Sequence, residues 1–160
     1  MRTLWSVVIV VLLSPFFVGT ANADVTAFLG STTRPSNRQL RGISVGAGFL
    51  VVGAEFEYAD AREEPLDGAP ALRTGMANVY TQPLLGLAGV QPYATTGVGL
   101  YREQLGTRRE TNVGFNAGGG IKVSLLGPVR ARLDYRIFKL RGTPINPLVH
   151  RFYVGLTLGF

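Results

Sequence analysis

Cysteine is absent from all 160 residues, which excludes disulfides, thiolate nucleophiles and cysteine metal sites. Histidine occurs once, at His150. Charge is scarce: 16% of residues carry it against 46% that are hydrophobic, with 10 acids and 16 bases. Beyond the N-terminus, no apolar run approaches the roughly 20 residues of a spanning helix, so the body of the chain holds no transmembrane helix. The formal charge of +6 would suit a nucleic-acid partner, but the N-terminus argues for export and against that partner.

Arg2 supplies a positive start, Leu4 to Val18 an apolar core, and Ala21-Asn-Ala23 the small residues that a signal peptidase reads. Residues 1–23 are therefore expected to be a signal peptide cleaved after Ala23. Ser14-Pro15 interrupts the apolar run, which argues against an uncleaved anchor. Residues 24–160 then form one domain.

From Asp24 onward the hydrophobic period is two, the mark of strands with unlike faces. Val129, Ala131, Leu133, Tyr135 and Ile137 alternate with Arg130, Arg132, Asp134 and Arg136. Residues 42–49 and 113–123 set branched or aromatic side chains against glycine, serine and asparagine. Ala54, Phe56 and Tyr58 oppose Glu55 and Glu57, and Ala94 to Leu100 oppose Thr95 to Tyr101. Val25, Ala27 and Leu29 open the first strand. Phe152, Val154, Leu156, Leu158 and Phe160 share one face of the last, opposite Arg151, Tyr153, Gly155, Thr157 and Gly159. In the fourth strand, residues 73–82, Ala77 and Val79 are set outward and Asn78 inward, because a lipid-facing amide would lack partners. The total is eight strands. Connections near 50–53, 83–91 and 124–128 are shorter on average; those near 31–41, 61–72, 102–111 and 139–149 are longer and rich in arginine.

Alternation alone leaves two architectures open, since a soluble lipocalin-like barrel also alternates with its apolar face inward. The polar face decides between them. It carries Gly42, Gly46, Gly48, Gly97, Gly99, Gly114, Gly118, Gly120, Gly155 and Gly159, which suit a crowded lumen and would only weaken a solvated strand. The expected fold is an all-β, eight-stranded antiparallel up-and-down transmembrane barrel.

Four segments, Pro92-Tyr93 with Gly97-Val-Gly-Leu-Tyr101, Asn116-Ala-Gly-Gly-Gly120, Arg130 to Arg136, and the terminal Phe160, make the mature chain resemble the small outer-membrane β-barrels. That family includes the OmpA transmembrane domain, OmpX-like proteins and opacity-type surface proteins. The resemblance implies residence in the outer membrane of a Gram-negative envelope. It also implies insertion by the outer-membrane assembly machinery, with Phe152, Val154, Leu156, Leu158 and Phe160 as the assembly signal. OmpA's peptidoglycan-binding domain has no counterpart here, so no cell-wall tether is expected.

Lumen charges form the first candidate site. Glu55 and Arg130 each follow a turn by two residues, as Glu57 and Arg132 do by four, so each pair is expected to meet across the axis. Lys122, Asp134 and Arg136 are expected to join them. Charges at that depth must be paired, and the network acts either as a rigid plug or as a gate for small ions.

The second candidate is the rim. Arg34, Arg38, Arg41, Arg102, Arg108, Arg109, Lys139 and Arg141 fall in the longer connections, where guanidinium groups suit the phosphates of lipopolysaccharide. Loops kept soluble by charge are the alternative.

Enzymatic readings are weaker. A lipid A deacylase type needs histidine and serine together, but the residue two beyond His150 is Phe152, and Ser44 points into the lumen. Glu63, Glu64 and Asp67 match no calcium loop, and Gly97-Val-Gly99 lies within a strand rather than a phosphate-binding turn. Neither a cofactor nor a metal is expected. The reading is a monomeric, non-enzymatic barrel with a structural or surface-interaction role; the alternatives are a low-conductance channel for ions or very small solutes and, more distantly, a lipid-modifying enzyme.

Overall fold

A computed structural model describes residues 22–83 and 87–160. Eight antiparallel strands close into an up-and-down barrel: β1 (Asn22–Thr33), β2 (Arg38–Phe49), β3 (Val52–Ala61), β4 (Ala71–Thr81), β5 (Val90–Leu105), β6 (Arg108–Leu126), β7 (Val129–Leu140) and β8 (Leu148–Gly159). β8 pairs with β1 from Asp24↔Gly159 to Thr33↔His150, so no strand edge is left open. The expected signal peptide lies outside the described residues except for Asn22 and Ala23, which open β1.

The two-residue period becomes two faces. Phe152, Val154, Leu156 and Leu158 are exposed along β8, with Phe160 just past its end, and Arg151, Tyr153 and Thr157 are buried between them. β4 has the expected facing, with Asn78 buried and Ala77 and Val79 outward. The inward glycines permit close approach between strands. A Cβ at Gly120 would overlap the Leu133 carbonyl and the Tyr93 hydroxyl, so any larger residue there would force β6 and β7 apart.

The connections differ from the sequence reading in two places. Residues 102–111 are not a loop: β5 and β6 run on and join through Gly106-Thr107, with Gly106 at a φ of 57°. Period-two patterning carries on through Arg102 and Glu103, and the charges there concealed it. The β2–β3 turn is Leu50-Val51, with Leu50 at a φ of 53°, and Gly53 lies within β3. The upper connections are thus 34–37, 62–70, 106–107 and 141–147, opposite the end that carries Asn22 and Phe160.

Candidate functional site

β7 climbs from its turn and points Arg132, Asp134, Arg136, Phe138 and Leu140 successively inward. Its lower half therefore supplies charge to the lumen and its upper half supplies apolar bulk. The charged layer contains three cations, Arg132, Arg136 and Arg151, and three anions, Glu55, Glu57 and Asp134. Arg132 grips Glu55 with both terminal nitrogens, Nη2 lying 3.2 Å from Oε1, and reaches Asp134 at 3.4 Å. Arg136 donates to Glu55 at 3.0 Å and to Asp134 at 2.9 and 3.0 Å, and lies 3.2 Å from Glu57. Arg151 donates to Glu57 at 2.6 Å and to the Thr74 hydroxyl at 2.9 Å.

Neutral groups complete the layer. The Tyr93 hydroxyl donates to Asp134 and accepts from Arg132 Nε at 2.8 Å. Ser44 points into the lumen and donates to Glu55 at 3.1 Å. Phe28 stacks on Tyr153 at 4.1 Å. Charge balance and bidentate geometry are what allow six charged groups to be buried in one layer.

This network corrects three of the expected partners. Arg130 enters no ion pair among the described residues; Glu55 meets Arg132 and Arg136 instead. Glu57 meets Arg136 and Arg151 rather than Arg132. Strands in a closed barrel are staggered, so equal distance from a turn does not mean equal depth across the axis. Lys122 leaves the cluster to pair with Asp24 at 2.9 Å, with its ammonium 4.9 Å from the Tyr80 ring. Arg151 was visible in the sequence as an inward residue of the last strand, but its partnership with Glu57 depends on that stagger.

Directly above this layer the lumen is apolar, and Arg38 and Glu103 are buried further up. Leu40, Leu72, Met76, Tyr101, Phe138, Leu140 and Val149 are buried in one cluster, and Arg151 lies over the Phe138 ring at 4.1 Å, where the two layers meet. Leu40, Leu72, Leu140 and Val149 fall in segments read as loops from the sequence. Continuing the strand period through them would have revealed this stopper.

The rim arginines separate into different environments. Arg38 is not a surface cation: it is 1% exposed, faces inward and donates to the carbonyls of Pro70 and Arg34. Its place on the inward face of β2, in phase with Leu40, decides this. Arg34 is exposed in the first connection. Arg108 donates to the Thr143 carbonyl at 2.7 Å and Arg109 to Gln104 at 3.5 Å. The Arg141 guanidinium lies over Phe115 at 5.7 Å, and Lys139 is exposed on β7. Arg41 and Arg102 face outward from β2 and β5.

His150 also faces outward, with its Nδ1 2.7 Å from the Tyr135 hydroxyl. Its direct cross-strand neighbours are Thr33 and Ile137; Ser31 lies one outward position further along β1, opposite Phe152, and makes no hydrogen bond to it. Among the described residues, no group of three His, Asp or Glu side chains is placed to hold a metal.

No family model and no curated protein matches the sequence. Solved structures do match it. Neisserial surface protein A aligns with a TM-score of 0.69 at 16% identity over 88% of this chain and 97% of its own. The N-terminal β-barrel domain of Pseudomonas aeruginosa OprF aligns with a TM-score of 0.65 at 16% identity, over 87% and 97%. The chain has the fold of the small eight-stranded outer-membrane β-barrels. The outer-membrane enzyme PagL shares that fold, with a TM-score of 0.54 at 12% identity over 84% and 98%, so the barrel form is compatible with both enzymatic and non-enzymatic members.

Proposed function

We propose that this protein is a non-enzymatic barrel of the outer membrane, with a sealed lumen and a structural or surface-interaction role exerted through its outer wall and rim. One observation carries the reading: a balanced ionic layer lies directly beneath an apolar layer within the same lumen. An ion-conducting gate needs a wet path past its charges, and here the charges are covered from above by Leu72, Phe138 and Leu140. The His150 environment supports the non-enzymatic part. Its hydrogen-bond partner is Tyr135, not the serine or the acid that acyl transfer requires. The apolar outer face supports lipid as the surrounding medium, and the assembly machinery is the expected route of insertion. The monomer is the expected state.

Purified protein in a planar bilayer is expected to be electrically silent, and Glu57→Ala is expected to stay silent because the apolar layer remains. Steps of conductance in the wild type that change with Glu57→Ala would establish the channel reading instead. At the rim, Arg34, Arg108, Arg109 and Arg141 support contact with lipopolysaccharide phosphates through charge-assisted hydrogen bonds. Replacing Arg108 and Arg109 by serine is expected to lower lipopolysaccharide co-purification; unchanged retention would count against a rim contact.

A further inference from the structure

Outward positions on four neighbouring strands place Arg41, Asp60, Arg73 and Arg102 in one lateral row, each the cross-strand partner of the next. Below them lie Ile43, Tyr58, Gly75 and Leu100, the uppermost residues of the apolar band on these strands. On each of these strands the row marks the step from apolar to charged outward residues, and with the stagger of the barrel it climbs from Arg41 to Arg102. It contains three cations and one anion. Asp60 takes Arg73 at 3.0 Å and Arg41 at 3.7 Å, while Arg102 reaches only the Thr111 hydroxyl, at 3.4 Å, and enters no ion pair among the described residues. Arg73 and Arg102 stand directly opposite each other across β4 and β5, an arrangement of like charges that destabilises a sheet unless an anion lies between them.

The wall beneath is shaped as well as charged. Gly75 removes a side chain between Tyr58 and Leu100, leaving a groove of about 280 Å³ directly under Arg73 and Arg102. Packing does not demand this glycine: a Cβ there would meet only Phe56 Cζ, at 3.9 Å, in contrast to the lumen glycines that face immediate overlap. A glycine within a strand weakens it, so its presence at this outward position fits a surface that must stay open. On the other side of Tyr58 a second, larger groove of about 1010 Å³ runs between Ile43, Leu29 and Leu156, and it too ends at Arg41 and Arg73. Two apolar grooves thus converge on one cationic row.

We propose that this wall is a binding site for a multi-acyl phosphorylated glycolipid of the lipid A type. Its phosphate bridges Arg73 and Arg102, and its acyl chains lie in the grooves on either side of Tyr58. The proposal deepens the rim reading and rests on its assignment of the arginine end to the outer leaflet, but it places the contact on the wall, on Arg73 and Gly75, rather than on the loops. A spread phosphate and a bidentate guanidinium match in geometry, and the cross-strand register holds the backbones of Arg73 and Arg102 side by side for one phosphate to reach both.

The full-length protein is extracted from outer membranes in mild detergent, and retained lipid A is counted per barrel. It is also reconstituted into phosphatidylcholine nanodiscs with bisphosphorylated or dephosphorylated lipid A. Arg102→Ser is expected to reduce retention about tenfold, the loss of about 1.4 kcal/mol of charge-assisted contact. Gly75→Leu, which fills the notch, is expected to reduce it comparably, and dephosphorylated lipid A is expected not to be enriched. Both positions are on the outer face and neither carries an ion pair, so heat-modifiable migration should be unchanged in both variants. Retention at the wild-type level in both variants, or enrichment of the dephosphorylated lipid, would overturn the site. Loss with Arg102→Ser but not with Gly75→Leu would overturn the groove as the acyl seat. Loss confined to Arg108→Ser with Arg109→Ser would overturn the wall site while leaving the rim contact standing.

Discussion

Glu57→Ala is expected to lower the unfolding free energy by about 3–5 kcal/mol, the usual cost of stranding a buried partner charge. Glu57 is 0% exposed and, among the described residues, is the only acid that Arg151, itself 1% exposed, pairs with. Removing it leaves Arg151 with the Thr74 hydroxyl and the Phe138 ring, neither of which carries a countercharge. Arg136 loses one of three acids and keeps Glu55 and Asp134. Most of the penalty therefore arises at Arg151. Equilibrium urea unfolding in micelles, followed by tryptophan-free far-UV signals and by heat-modifiable migration, measures it. The double replacement Glu57→Leu with Arg151→Leu should recover much of the loss, because an apolar pair can replace a buried ion pair at little cost. Arg130→Ala, at a position outside the network, should change stability by less than about 0.5 kcal/mol, as expected of a substitution remote from packed features. A Glu57→Ala protein as stable as the wild type would show that water reaches this depth and hydrates Arg151.

Leu156→Arg is expected to cost about 2–4 kcal/mol, the price of a cation at the bilayer midplane. Leu156 is exposed on the outer face of β8 and is flanked across the sheet by Ala27 on β1 and Ala131 on β7. Small neighbours leave an arginine there nothing polar to lean on, and the strand offers no free backbone acceptor. The comparison position is Leu66, fully exposed in the connection between β3 and β4, where Leu66→Arg should have little effect. Unfolding from phospholipid vesicles reads both. Similar small effects at the two positions would mean that the outer face of β8 is not lipid-facing.

The facing of each strand was legible in the residues because side-chain alternation is a property of two neighbouring peptide units and needs no knowledge of the rest of the chain. Strand number, antiparallel order, the outward positions of β8 and the inward turn of Asn78 and Ser44 all follow from that local rule. Aromatic and branched residues set against glycine further indicated that the apolar face looks out.

What the alternation does not contain is depth. Which residue of β3 faces which of β7 depends on stagger accumulated strand by strand around the closed wall, and only the closed barrel supplies that sum. The tertiary structure therefore decided that Glu55 meets Arg132 and Arg136 rather than Arg130, that Arg151 completes the charge balance, and that Lys122 turns to Asp24. It also decided that Arg38 is buried, and that Leu40, Leu72 and Val149 belong to a stopper rather than to loops. The outward row of Arg41, Asp60, Arg73 and Arg102 has the same origin: four residues far apart in the sequence become neighbours because register, not sequence distance, sets lateral position in a sheet.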